Sequence, residues 1–140
     1  MPPKINWPLF NQDIISEFRA NRGRVAQFGD LPVVILHTIG AQSAKVYLIP
    51  LVAVLSDGQI FIFATNAGSP TQPAWVFNLR ANPTITVEYG TRTLTATVSE
   101  LPQQQADKKL VAQAKLSSQL RDYLKTSHPR RIPVFKITPT

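Results

Sequence analysis

Residues 84–99 read TITVEYGTRTLTATVS, and the reading of this stretch decides the fold. On both sides of Tyr89-Gly90-Thr91, apolar and polar side chains alternate strictly. That is the period of a half-buried strand, not of a helix. A short connection containing glycine makes the pair a hairpin, so antiparallel pairing is the starting assumption.

Working outward, VVILHTI (33–39) is rich in β-branched residues and reads as a buried strand. YLIPLVAVL (47–55) reads as a second strand, at an edge or a bulge because it contains Pro50. Ser56-Asp57-Gly58 turns the chain into a third strand, QIFIFAT (59–65). PAWVFNLRAN (73–82) predicts a short helix, with Pro73 in its first turn and Asn82-Pro83 as its stop. Before the first strand, NQDIISEFRANRG predicts a helix over about 11–22: Asn11 caps it, Ile14, Ile15 and Phe18 share a face, and Gly23 ends it. After the hairpin, one long helix is predicted over about 103–125, and IPVFKI closes as a strand. Six strands joined largely by hairpins, with flanking helices, point to an α+β chain. Its centre is a small antiparallel barrel rather than a parallel sheet.

The chain has 140 residues, the size of one domain spanning 1–140, and 44% of them are hydrophobic. It contains no cysteine, which excludes disulfides and thiolate metal sites. The N-terminus lacks the apolar core of a signal peptide, and runs such as VVIL are far shorter than the roughly 20 residues that cross a bilayer. A soluble, cytoplasmic protein is the expectation.

The net charge of +7 is uneven. Residues 101–140 hold eight cations against Asp107 and Asp122, a surplus of +6. Such a region suits a nucleic acid, an anionic membrane, a polyanionic small molecule, or simple solvation. Only Tyr123 and Phe135 interleave aromatics there, too few for a base-stacking platform, so no nucleic-acid partner is expected. Trp7, Leu9, Phe10 and the Ile14/Ile15/Phe18 face could instead dip into a membrane interface. His37 and His128 stand apart, with no carboxylate cluster, so no metal site is expected; His37 reads as a satisfied interior residue. No Gly-Xaa-Ser-Xaa-Gly, Walker loop or GxGxxG occurs, which leaves hydrolase, P-loop and Rossmann readings without support.

The series EFRANRGRV, PVVILHTIGA, Pro50-Leu51, the DG at 57–58, FATNAGSPTQPAWVFNLRANP and RRIPVF resembles the deazaflavin (F-420)-dependent nitroreductase family over nearly the whole chain. The resemblance implies a six-stranded split β-barrel like those of flavin reductases and pyridoxamine-phosphate oxidases, as monomer or homodimer. It implies coenzyme F-420 as hydride donor to nitroaromatic, enone or quinone-like acceptors. In the family the coenzyme phosphate sits in the loop after the first strand. The usual pattern there is Gly, one or two basic residues, Ser/Thr, Gly, and an Arg three residues on.

Carried onto this sequence, the resemblance assigns cofactor binding to Gly40, Gln42, Ser43, Ala44, Lys45, Pro50, Ala64, Thr65, Asn66, Trp75 and Asn78. It assigns Tyr123 to the substrate side as a phenol that donates a proton or hydrogen bond. The cationic positions of the phosphate loop are taken by Ala41, Gln42 and Tyr47, and its glycine by Ala44. Gly40, Ser43 and Pro50 persist, with Lys45 as a substitute cation. A residue at Ala44 with positive φ would be strained by about 1 kcal/mol. Two readings stay open: weaker F-420 binding, with basic residues near 19–24 and 121–136 holding its acidic tail, or a pocket for FMN, a tetrapyrrole or a fatty acid.

Overall fold

The computed structural model describes residues 7–140. The chain order is α1 (Trp7–Ala20), β1 (Val33–Ile39), β2 (Val46–Val52), β3 (Val54–Ser56), β4 (Gln59–Phe63), α2 (Ala74–Ala81), β5 (Thr84–Tyr89), β6 (Arg92–Glu100), α3 (Gln103–Ala114), α4 (Ser118–Ser127) and β7 (Val134–Pro139). One antiparallel sheet holds all seven strands in the order β2-β1-β5-β6-β7-β4-β3.

Seven strands stand where the sequence suggests six. The extra one arises at Ala53, which splits YLIPLVAVL in two. The first half pairs with β1 and the second with β4, at opposite edges of the sheet. A single residue therefore joins the two edges, so the sheet must curl until they meet. Ala53 is buried, and its N–H donates to Pro32 O at 2.8 Å. Residues 48–55 are apolar without interruption, so no periodicity marks the split. Pro50, opposite Ile35 on the edge strand β2, has no ladder hydrogen bond to lose on its outer side.

The hairpin that anchors the reading forms as β5 and β6, with Tyr89 opposite Arg92. The Asp57-Gly58 turn also forms, both residues at positive φ (52° and 73°), as a two-residue hairpin turn requires. The inside of the curl is filled by Val34, Leu36, Ile62, Trp75, Leu79, Val87, Val98 and Phe135. β1 is apolar on both faces because its outer side is covered as well: Val33 and Ile35 meet Ile14, Phe18 and Val25. Outside β4 and β7, Phe61, Leu110, Leu120 and Ile132 form a third cluster.

Three helix expectations change. α1 starts at Trp7, so Asn11 lies inside it and is not its cap. Ile14 and Phe18 are 4% and 2% exposed, so the face proposed for a membrane interface packs on the sheet instead. The side chain of Trp7, named in the same expectation, lies outside the described residues. The predicted helix 103–125 is two helices: Ser117 leaves helical geometry and its Oγ accepts from Leu120 N–H at 3.1 Å, capping α4.

Gly23 ends α1 by donating to Phe18 O at 2.7 Å, and a Cβ there would lie 2.7 Å from Gly90 Cα. α1 is also bolted to the sheet by charge. Arg19 makes a two-pronged pair with Glu88 at 3.1 and 2.8 Å, and His37 Nε2 lies 2.7 Å from Glu88 Oε2. His37 is thus a hydrogen-bonded residue of the outer sheet face. Among the described residues no group of histidines and carboxylates forms a metal cluster, and no helix is long and apolar enough to cross a membrane.

Candidate functional site

β1 runs straight into the 40–45 loop, and this loop is built from its own polar groups. Gly40 N–H donates to Lys45 O at 2.8 Å and Ala44 N–H to Gly40 O at 3.1 Å, closing the turn. Ser43 Oγ accepts from Lys45 N–H at 3.2 Å and lies 3.3 Å from the Tyr47 hydroxyl. A Cβ on Gly40 would displace the Ser43 hydroxyl from its place in the turn. Ala44 sits at φ 59°, the left-handed conformation that favours glycine. Gln42 and Ser43 are exposed, and their N–H groups have no partner among the described residues.

α2 holds this loop from below. Asn78 Oδ1 accepts from Ala41 N–H at 3.0 Å, and Asn82 Nδ2 donates to Ile39 O at 3.3 Å. The two asparagines are one helical turn apart, so they grip both ends of the Gly40 corner. Asn82 was legible only as a helix stop; its side chain's second use depends on β1 lying alongside.

The second loop, 64–72, leaves β4 and leads into α2. Ala64 is fully buried. Asn66, Ala67 and Gly68 follow one another at φ 49°, 53° and 79°. Three consecutive left-handed residues, two of them not glycine, are strained and need outside support. Asn66 Nδ2 supplies part of it by donating to Thr71 O at 2.9 Å.

The rest comes from α4 and the segment after it. Thr126 Oγ1 donates to Gly68 O at 2.7 Å, and Tyr123 packs so closely that a Cβ on Gly68 would lie 3.0 Å from its ring. Arg130 donates to the carbonyls of Ala64 (3.0 Å), Thr65 (2.9 Å) and Ser69 (2.9 and 3.2 Å), and to Gln72 Oε1 (2.6 Å). No carboxylate faces its guanidinium among the described residues, and burial pushes its pKa below the usual arginine value. In the sequence Arg130 was only one of the cations near the coenzyme's tail; nothing local in RRIPVF marks it as a clamp.

The structure thus brings the assigned residues into two groups joined by α2. Gly40, Gln42, Ser43, Ala44, Lys45 and Asn78 form one; Ala64, Thr65, Asn66 and Tyr123 form the other. The two loops meet α2 about 6 Å apart along its axis, from its start at Ala74 to Asn78. Trp75 lies within the core, 8% exposed, its ring 5.7 Å from that of Phe135. Pro50 stays in mid-strand opposite Ile35, away from the Gly40 corner. Of the cations assigned to the acidic tail, Arg19 is paired with Glu88, Arg24 with Asp30 at 2.7 Å, and Arg130 with carbonyls. Lys125 and Arg131 remain exposed. The Tyr123 hydroxyl has no hydrogen bond among the described residues.

Comparison with known proteins gives this geometry a family. The family model for F420H(2)-dependent quinone reductase matches residues 11–139. F420H(2)-dependent quinone reductases of two Mycobacterium tuberculosis strains, H37Rv and CDC 1551, are 31% identical over 75 residues, covering 52% of this chain and 50% of each relative. The chain therefore spans about half the length of the curated relatives it matches. Among solved structures, an F420-H2-dependent reductase (FDR-A) is 32% identical, covers 76% of this chain and 93% of its own, and has a TM-score of 0.64. A structure described as a domain-swapped dimer is 28% identical, covers 93% and 98%, and has a TM-score of 0.65. A heme storage protein of Vibrio cholerae, 16% identical with a TM-score of 0.55, shares the fold alone. With its split-barrel sheet and a family match across almost its whole length, the chain belongs to the F420H(2)-dependent quinone reductase family.

Proposed function

We propose that this chain is a coenzyme F420-dependent oxidoreductase that reduces a quinone-type acceptor, with nitroaromatics and enones as further candidate acceptors. The observation that carries the reading is the pair of unpartnered amides, Gln42 and Ser43, presented beside Lys45 on a corner that Asn78 holds in place. Two main-chain N–H donors and an ammonium suit a phosphodiester oxygen. The donor set therefore fits the anionic part of the coenzyme, with fewer formal charges than the family pattern.

When bound, the deazaflavin supplies a hydride. The chain's own residues do the rest. Gln42, Ser43 and Lys45 bind the phosphate. Thr65 and Asn66, both partly exposed, give a flat ring an approach to the second loop, with Ala64 buried behind them. Reduction of a quinone to a hydroquinone needs a proton as well as a hydride, and in this reading the Tyr123 phenol, whose ring packs against Gly68, supplies it. Positioning and exclusion of water are the protein's share of catalysis.

Purified protein mixed with reduced F420 and menadione tests this. Recovery of the oxidised coenzyme's absorbance above the protein-free rate is expected. No turnover, together with no quenching of coenzyme fluorescence on binding, overturns the reading.

A second reading is favoured by one observation: the Ser43 hydroxyl is already engaged with Lys45 N–H and Tyr47, which leaves main-chain amides and one ammonium as the loop's phosphate donors. On that reading the barrel carries FMN, a tetrapyrrole or a fatty acid. Native mass spectrometry of the protein as purified separates the two by the mass it retains. A homodimer is the assembly proposed, by analogy with the domain-swapped relative, and sedimentation reports it.

A further inference from the structure

Among the described residues, the side chain with the most hydrogen bonds is one the sequence offered only as a cation for the coenzyme's tail. Arg130 makes five hydrogen bonds to four residues of one loop and meets no carboxylate among the described residues. That loop holds the left-handed run Asn66-Ala67-Gly68, a conformation L residues rarely adopt unaided. The fork spans it from end to end: Ala64 and Thr65 before the run, Ser69 and Gln72 after it.

We propose that Arg130 is a positioning residue, a clamp that holds the 64–72 loop in the one shape that can receive the coenzyme's ring. The inference rests on the proposed function for the identity of the ligand, while the clamp itself is independent of it. A planar guanidinium has five donors in a fixed fork; an ammonium has three on a flexible stem and cannot reach the same carbonyls together. Replacing Arg130 by lysine keeps the charge and removes the geometry. Apparent affinity then falls by the fraction of molecules whose loop remains in the binding shape.

The experiment compares wild type, Arg130→Lys and Gln72→Met. Gln72→Met deletes only the one side-chain partner of the fork and guards against a lysine variant that fails to fold. Hydrogen exchange is followed at Gly68 and Ser69, whose N–H groups donate to Thr65 O and Asn66 O. Coenzyme affinity is followed by fluorescence quenching. In Arg130→Lys, exchange at Gly68 and Ser69 should speed up at least about tenfold while β1 and β5 stay unchanged, and the Kd for F420 should rise about tenfold. Gln72→Met should move both in the same direction, by about threefold. A purely structural arginine would lower the melting temperature and leave the Kd of the folded protein where it was.

Unchanged exchange at Gly68 and Ser69 in a folded variant overturns the clamp. Faster exchange with an unchanged Kd overturns its link to binding. Wild type that shows the exchange difference but binds no F420 keeps the clamp and removes the proposed function, so the two failures are distinguishable.

Discussion

Gln42 shows how a single residue sets the strength of the site. Its N–H faces solvent without a partner, and its side chain stands where the family pattern carries a cation. A charge-assisted bond is worth about twice a neutral one. Gln42→Arg should therefore tighten F420 binding by roughly 5- to 30-fold, or about 1–2 kcal/mol, with the gain shrinking as salt is added. Fluorescence titration at two ionic strengths reads this; equal affinity in both proteins would place the phosphate elsewhere. Ala44 carries a related lesson. The sequence predicted strain if that position were left-handed, and it lies at φ 59°. Gly40, Ala44 and Asn78 come together as a loop and its support, while Trp75 turns into the core. What distinguishes them is which strand or helix lies behind each, information a single position does not carry.

At the scale of elements, charge and capping decide how helices are held. Glu88 is the hub under α1, and the neighbouring Arg19 guanidinium, opposed in part by burial and helped by His37, keeps its carboxyl below the usual carboxylate range. A depressed acid stabilises the fold above its unfolded pKa and loses that contribution as pH falls through its folded one. Stability should thus decline on acidification below about pH 4–5. Glu88→Gln should lose about 1–3 kcal/mol at neutral pH and show a flatter acid limb in urea melts at several pH values. An unchanged acid limb would show that the pair does not fasten α1.

Ser117 makes the parallel case for α4. Ser117→Ala removes the cap and should cost about 1 kcal/mol, a melting shift of roughly 3–5 °C by calorimetry. Neither the break before α4 nor the split at Ala53 was legible, because apolar spacing continues across both. Leu116, 83% exposed, is an apolar residue that helical spacing counts toward the buried face and the chain leaves in solvent. By contrast, the β5–β6 hairpin and the Asp57-Gly58 turn were legible because their signals are local.

For the whole molecule, the charge of +7 acts at a distance. Most of the surplus lies in residues 101–140, which include α4 and the Arg130 segment that back the second loop. Arg19, Arg24 and Arg130 are engaged within the fold, so any grip on an acidic tail falls to exposed cations such as Lys125 and Arg131. Exposed charges contribute little one at a time and are screened within about 8–10 Å at physiological salt. Their collective field nevertheless raises the encounter rate of a polyanion. F420 with a long oligoglutamate tail should therefore associate faster than a short-tailed form at low salt, and the two should converge as salt rises. Lys125→Glu with Arg131→Glu should erase that difference by slowing the long-tailed form about three- to tenfold, leaving the short-tailed form nearly untouched. Stopped-flow quenching measures both. Rates independent of tail length at low salt would assign the basic surplus to solubility alone, and the binding energy would then rest on the Gly40 corner and the Arg130-held loop.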